Sequence, residues 1–317
     1  MTRQDELAVK VCQYYYLDRM TMSQIGDRLA LSRHKVGRIL SNAVSSGLVK
    51  IEIQQPLSYS SSLERALIGE LGLKSAVVPS LPEQLVPEEI KRRVGAAAAQ
   101  LISSTITNGE IVGVGWGSTT FEVARQITGN GASDIKVVQI TGGNGAVGAR
   151  FSCQDVTRTV AANLGVEPTL LHAPAIVANR QTRDLLLQEP MIQEVAGLFG
   201  QISLSLVGIG TLQPMASALA ESGMIPQKEL DAIVAMGAVG DIYSCFIDAD
   251  GQPVETELSS RMIAIGLDEI RQIPRSIAVA TGESKARAVR AAVAAGLTNI
   301  LVVDERLAEA ILGLDGD

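Results

Sequence analysis

Between residues 75 and 304 the chain returns seven times to a short run rich in β-branched and other apolar residues. These runs are SAVVP (75–79), EIVGVG (110–115), IKVVQIT (135–141), LLHAPAIV (170–177), ISLSLVGIG (202–210), SIAVATG (276–282) and NILVVD (299–304). Most are separated by stretches of helical composition. Apolar strands without polar alternation need cover on both faces, and strands alternating with helices form parallel sheets, so the pattern predicts an α/β domain. One segment departs from the scheme: FIDADGQPV (246–254), with Asp-Gly between extended residues, reads as an inserted hairpin.

Charge divides the chain in two. Residues 1–55 carry eight Lys or Arg against five acids, a net of +3, so the remainder stands near −10 of the total −7. An acidic body repels a polyanion, so a nucleic acid would be met by the amino-terminal segment. There, DELAVKVCQYYYLDR (5–19) places Leu7, Val11, Tyr14 and Tyr15 at helical spacing. Thr21 or Ser23 is placed to cap a shorter helix bearing Ile25 and Leu29, and Ser32 to cap a third with Val36, Ile39, Leu40 and Ala43 inward. Arg33, His34, Lys35, Arg38 and Asn42 are left facing out. Two short helices with the second basic at its start make a helix-turn-helix, whose second helix enters the major groove. The candidate DNA contacts are Ser32, Arg33, His34, Lys35, Arg38 and Asn42. LVKIEI (48–53) alternates like a short wing strand, with Lys50 near a phosphate. The competing account is a plain three-helix bundle with a solvated basic face. Tyr14, Tyr15 and Tyr16 are read as core or dimer-contact residues.

QQPLSYSSS marks a boundary, giving a DNA-binding domain over 1–55, a linker over 56–62 and an effector and oligomerisation domain over 63–317. The amino terminus lacks a secretory signal and no run of apolar residues is long enough to cross a bilayer, so a cytoplasmic protein without membrane contact is expected. Cys12, Cys153 and Cys245 lie far apart without CxxC spacing, which fits reduced structural thiols and no metal site.

In open parallel sheets, ligands bind beyond the carboxyl ends of the strands. GVGWGSTTFEVARQI (113–127) brings Gly117, Ser118, Thr119 and Thr120 to the start of a helix, where a phosphate is the expected guest. A dinucleotide fingerprint fails, because GxGxxG from Gly113 meets Ser118 and from Gly115 meets Thr120, and no Gly-Lys-Ser/Thr loop exists. Further loops at 141–145, 208–210, 237–241 and 281–287 would line the same edge. Asp241 is placed to accept sugar hydroxyls and Lys285 to neutralise a phosphate or pair with a carbonyl oxygen. Taken singly, each is equally consistent with turn geometry or a solvated lysine.

With these residues in hand, the chain resembles the SorC family of bacterial regulators. The carriers, in order, are MTMSQIGDRLALSRHKVGRIL, VGVGWGSTTFEVA, VVQITGG, LHAPAIV, VGIG, GAVGDIYSCFIDADG and KARAVRAAVAAGLTNILVVDE. The resemblance implies a winged-helix-like amino-terminal domain and an effector domain similar in fold to phosphosugar isomerases and deaminases. It further implies a phosphorylated sugar effector, double-stranded operator DNA beside sugar-catabolism genes, and a homodimer or homotetramer without cofactor. By position it places phosphate contacts at Gly117, Ser118, Thr119 and Thr120, a matching loop at Gly142, Gly143 and Asn144, and polar contacts at Asp241 and Lys285. One departure stands out: the family commonly has paired glycines before the lysine, whereas Gly282 is followed here by Glu283. The rival function is a sugar-phosphate isomerase or deaminase with a DNA-binding appendage, but such chemistry usually recruits a histidine. His34 falls on the recognition helix and His172 after PTLL, where a buried, satisfied imidazole is expected, so no catalytic residue is assigned. A metabolite-binding module that no longer binds DNA would differ only at the amino terminus.

Overall fold

The computed structural model describes residues 3–49, 57–82, 84–143, 152–213 and 225–313. It divides into two compact units, Met1–Pro56 and Leu57–Asp317.

In the smaller unit, α1 (Arg3–Cys12) runs on through a π-helical turn at Gln13–Leu17. α2 (Met22–Leu29) and α3 (Arg33–Ser45) follow. Thr21 and Gln24 form a reciprocal capping box, satisfying two amides that the start of α2 leaves without helical partners. Ser32 caps α3, its Oγ accepting from the Lys35 amide at 3.2 Å. Val11, Ile25, Val36, Leu40 and Ala43 make the buried centre. Tyr14 and Tyr15 pack against it, Arg28 lies 4.7 Å over the Tyr14 ring, and Tyr16 is largely exposed. The wing expected at 48–53, with Lys50, lies for the most part outside the described residues.

The larger unit is built on nine strands: β1 (Ser75–Val77), β2 (Ile111–Val114), β3 (Lys136–Gln139), β4 (Pro168–Thr169), β5 (Leu204–Thr211), β6 (Ala238–Ile242), β7 (Cys245–Asp248), β8 (Arg275–Ala280) and β9 (Ile300–Val303). The order is β1-β9-β8-β5-β2-β3-β4, all parallel, while β6 pairs antiparallel with the end of β5 and with β7. The central strands are buried almost throughout, and successive side chains point to opposite faces of the sheet. Val112, Val114, Leu204, Leu206, Ile277, Val279, Ile300 and Val302 join one core cluster, with α5 (Pro87–Thr105), α6 (Ser118–Ala124) and α7 (Cys153–Leu164). Val207, Ile209, Ala278, Ala280, Leu301 and Val303 join another, with α4 (Ser61–Leu71), α13 (Ala286–Ala294) and α14 (Glu305–Gly313). Five shorter helices, α8 (Arg180–Leu186), α9 (Pro190–Ala196), α10 (Gln227–Ala235), α11 (Glu257–Ser260) and α12 (Leu267–Gln272), with a 3₁₀ turn at Phe199–Gln201, complete the described elements outside the site. No helix among the described residues is long and apolar enough to cross a membrane.

Four sequence expectations need correction. LLHAPAIV is not a strand: Pro174 has no amide to give a ladder, and the segment makes only isolated bridges, Gly143 to Pro174 and Ile176 to Met262. The glycine-rich segments 208–210 and 237–241 lie mainly in β5 and β6 rather than in loops. Residues 57–62 belong to the larger unit instead of a linker, because Ser60 donates to the Val78 carbonyl and Ser80 to that of Ser58. The segment 246–254 does turn back on itself through a bridge from Ile247 to Pro253, but the regular hairpin lies one strand earlier, between β6 and β7.

Leu206 sits fully buried in a central strand. Leu206→Ala is expected to lower stability by about 2–5 kcal/mol, the usual cost of emptying such a site, read as a lower urea midpoint with an unchanged slope.

Candidate functional site

β2 and β5 are neighbours in the sheet, yet the chain leaves β2 toward β3 and leaves β5 toward β8. At this reversal the connections diverge and a crevice opens beyond the strand ends. A cleft open to solvent lies there. Gly115, Trp116, Gly117, Ser118 and Thr119 supply one wall, after β2. The end of β5 contributes Val207 to Gly210, β6 and its turn contribute Asp241, Tyr243 and Ser244, and Val279, Lys285 and Thr141 complete the lining.

Gly117 turns the chain with φ +145°, a conformation L side chains rarely adopt. α6 then begins, and the first amide to enter its ladder is that of Phe121, donating to the Gly117 carbonyl at 2.9 Å. The amides of Ser118, Thr119 and Thr120 precede that bond. Thr120 itself is fully buried with its hydroxyl donating to the Gly117 carbonyl at 2.7 Å, so its side chain shapes the loop and does not reach the cleft.

Asp241 is paired in register with Gly210. A Cβ at position 210 would stand 2.0 Å from Asp241 Oδ1, so the carboxylate occupies the space a side chain would need. Asp241 is 9% exposed. Burial raises its pKa from 3.8 to about 6, against the opposing pull of Lys285. Lys285, half-buried at the end of a 3₁₀ turn (Glu283–Lys285), is lowered from 10.5 to about 8 by burial, with Asp241 raising it, Lys91 lowering it and Asp304 raising it. The loop that carries it is anchored by the buried Asp304, which accepts from the Gly282 amide at 2.8 Å and caps α14 through the Leu307 amide at 3.1 Å. The cleft thus sets one acid and one amine beside the hydroxyls of Ser118, Thr119, Thr141 and Ser244.

Of the expected effector contacts, Gly117, Ser118, Thr119, Asp241 and Lys285 meet in this cleft. Gly142 and Gly143 do not line it. Their amides donate to the carbonyls of Ile263 and Ala173, at 2.8 and 2.7 Å, so these glycines serve backbone pairing. Asn144 lies outside the described residues. His172 is exposed, contrary to the buried imidazole expected, and it too is absent from the lining. Trp116, Thr141 and Gly210 fall within segments expected at this edge, whereas reading the sequence missed Tyr243, Ser244 and Asp304; of these only Asp304, an acid between a strand and a helix, carried a local signal. In the smaller unit Ser32, Arg33, His34, Lys35, Arg38 and Asn42 are all exposed on α3 or at its cap. Cys12 and Cys153 are buried, Cys245 is half-buried, and none of the three is in a disulfide.

The larger unit is therefore of the class of open parallel α/β domains that take a small polar ligand at the point where strand order reverses. The sugar-binding domain family (Sugar-bind) matches residues 55–313. The chain is 32% identical to the transcriptional regulator LsrR of Klebsiella pneumoniae over 98% of its own length and 94% of that protein. It is 30% identical to the erythritol catabolism regulatory protein EryD of Brucella abortus, over 98% of its length and 97% of that protein. The crystal structure of the full-length sorbitol operon regulator SorC from Klebsiella pneumoniae superposes with a TM-score of 0.73 at 29% identity, covering 98% of this chain and 100% of that one. The chain belongs to the SorC family of sugar-binding transcriptional regulators.

The raised Asp241 pKa fixes a sign for stability. The native state holds this proton more tightly than the unfolded chain, so stability is greatest below about pH 4 for this group and falls as pH rises toward and past 6. A shift of about two units corresponds to roughly 3 kcal/mol. Asp241→Asn is thus expected to raise the unfolding free energy at pH 7.5 by up to about 3 kcal/mol and to leave it nearly unchanged at pH 4, in paired urea titrations. Equal effects at both pH values would contradict the assignment.

Proposed function

We propose that this chain is a DNA-binding regulator of carbohydrate catabolism genes, with residues 1–55 reading operator DNA through α3 and the larger unit binding a phosphorylated sugar in the cleft. The observation that carries this reading is the cleft itself, where a lysine, a buried aspartate and several hydroxyls converge beside the free amides of α6. Relatives of the same length are named as regulators of erythritol catabolism and of a sorbitol operon.

In this account the phosphate lies against Gly117, Ser118 and Thr119 and is neutralised by Lys285. Asp241 accepts from sugar hydroxyls, with Thr141 and Ser244 completing the polar lining. An aspartate that is partly protonated near neutral pH suits a site that must hold an anion, since a protonated carboxyl both donates a hydrogen bond and adds no repulsion. We assign binding rather than turnover. Both histidines lie off the lining, and among the described residues Asp241 is the one acid there, already serving as a hydroxyl acceptor. A homodimer or homotetramer in the cytoplasm completes the proposal, because a paired reader matches a two-fold operator.

On α3, Arg33 and Arg38 are the residues suited to bidentate contact with guanine, and Lys35 and His34 to base edges or phosphates. Ser32 holds the start of the helix, and Asn42 lies nearly three turns further along. Arg33→Ala and Arg38→Ala are each expected to weaken binding to DNA from just upstream of the protein's own gene by about tenfold or more, given roughly 1–3 kcal/mol per base contact. Fluorescence anisotropy at fixed salt measures this. Unchanged affinity in both variants would remove DNA reading from α3 and favour a metabolite-binding module.

A further inference from the structure

β6 and β7 are joined by two residues, because Ile242 pairs with Cys245. Those two residues, Tyr243 and Ser244, both have positive φ, +55° and +63°. This is the arrangement of the type I′ hairpin, whose twist matches that of the flanking strands and which ordinarily takes Asn-Gly. A Cβ in the left-handed region crowds the following carbonyl, so a Tyr-Ser pair holds the turn only where its surroundings over-determine it. Such outliers concentrate at ligand sites, and both residues line the cleft.

The over-determining element is the Tyr243 side chain. It is 5% exposed, with Oη 2.6 Å from Ser205 Oγ and 2.7 Å from Ser276 Oγ. Ser276 spends its only hydroxyl proton on the Leu297 carbonyl, at 2.9 Å. It therefore accepts from Tyr243, which in turn accepts from Ser205. Ser205 and Ser276 are paired across β5 and β8. One directional chain of hydroxyls thus pins the turn to the two strands on which the cleft is built.

We infer that Tyr243 is a positioning residue for effector recognition: its hydroxyl holds the left-handed turn that sets Asp241 and Ser244 against the ligand. The inference rests on the cleft being the sugar-phosphate site. Without the tether, the turn relaxes toward conformations that splay the two strands. Asp241, two residues from the turn and packed over Gly210, then loses its aim. Tyr243→Phe removes one oxygen and keeps the ring in the core.

The test is isothermal titration of the full chain with a panel of hexose and pentose monophosphates, with thermal unfolding measured alongside. For the compound that wild type binds most tightly, Tyr243→Phe is expected to bind about tenfold more weakly, the scale of one hydrogen bond, with Tm lowered by only a few degrees. Leu206→Ala, which lowers stability from β5 without touching the turn or the cleft lining, is expected to keep near-wild-type affinity. Should Tyr243→Phe not fold, Ser205→Ala cuts the same chain from β5 and is read identically. Wild-type affinity in the variant overturns the inference. So does a comparable loss of affinity in Leu206→Ala, which marks a merely structural hydroxyl. If wild type binds no compound of the panel, the sugar-phosphate reading fails and the inference fails with it. If wild type binds and Tyr243→Phe binds equally, only the role of Tyr243 is lost.

Discussion

The reversal of strand order between β2 and β5 is the constraint on which the larger unit depends. Parallel strands need crossovers, and crossovers that set off in opposite directions from adjacent strands leave the carboxyl ends of those strands uncovered. The cleft is built from this edge: the start of α6 after β2, Thr141 after β3, the end of β5, the hairpin that grafts Asp241 onto β5, and the loop from β8 that carries Lys285. Two apolar faces, each buried under its own helices, hold the edge in place.

On this rigid frame the electrostatics are unusual in one respect. An acid and an amine share the cleft, and burial drives both toward their neutral forms, Asp241 to about 6 and Lys285 to about 8. An arriving phosphate favours the charged lysine and the protonated acid, so ligand binding and proton binding at this edge are linked. Asp304 fixes the lysine loop, and Ser205 and Ser276 fix the opposite wall through Tyr243, so the supports of both charged groups end on residues outside the lining.

How much of this was legible depended on whether the controlling interaction was local. β5, β8 and β9 were readable because a strand covered on both faces has no polar positions to spare, and α3 because its cap, its inward stripe and its basic face recur at fixed offsets. LLHAPAIV carried the same apolar signal but not the amides, and its proline broke the pairing. Glycines misled at 208–210 and 237–241, since the glycine that suits a loop also suits a strand crossed closely by a neighbour, as Gly210 is by Asp241. The turn at Tyr243 and Ser244 had no sequence mark at all. Its conformation is imposed from Ser205 and Ser276, more than thirty residues away on either side. Lys285 and Asp241 were named from segments expected at one sheet edge, but the hairpin that folds Asp241 back onto β5 was not foreseen.

The central claim is that one chain holds a DNA reader and a sugar-phosphate cleft that sense each other, and thermodynamics makes such sensing reciprocal. The most direct measurement is a closed cycle: the affinity of the sugar phosphate for the full chain with and without saturating operator DNA, and the affinity of the operator with and without saturating sugar phosphate, in one buffer. The account requires the two ratios to be equal and different from one, by about fivefold or more for a typical coupling. Ratios of one in both directions, with both ligands binding tightly, would show two independent binding units on one chain and contradict it.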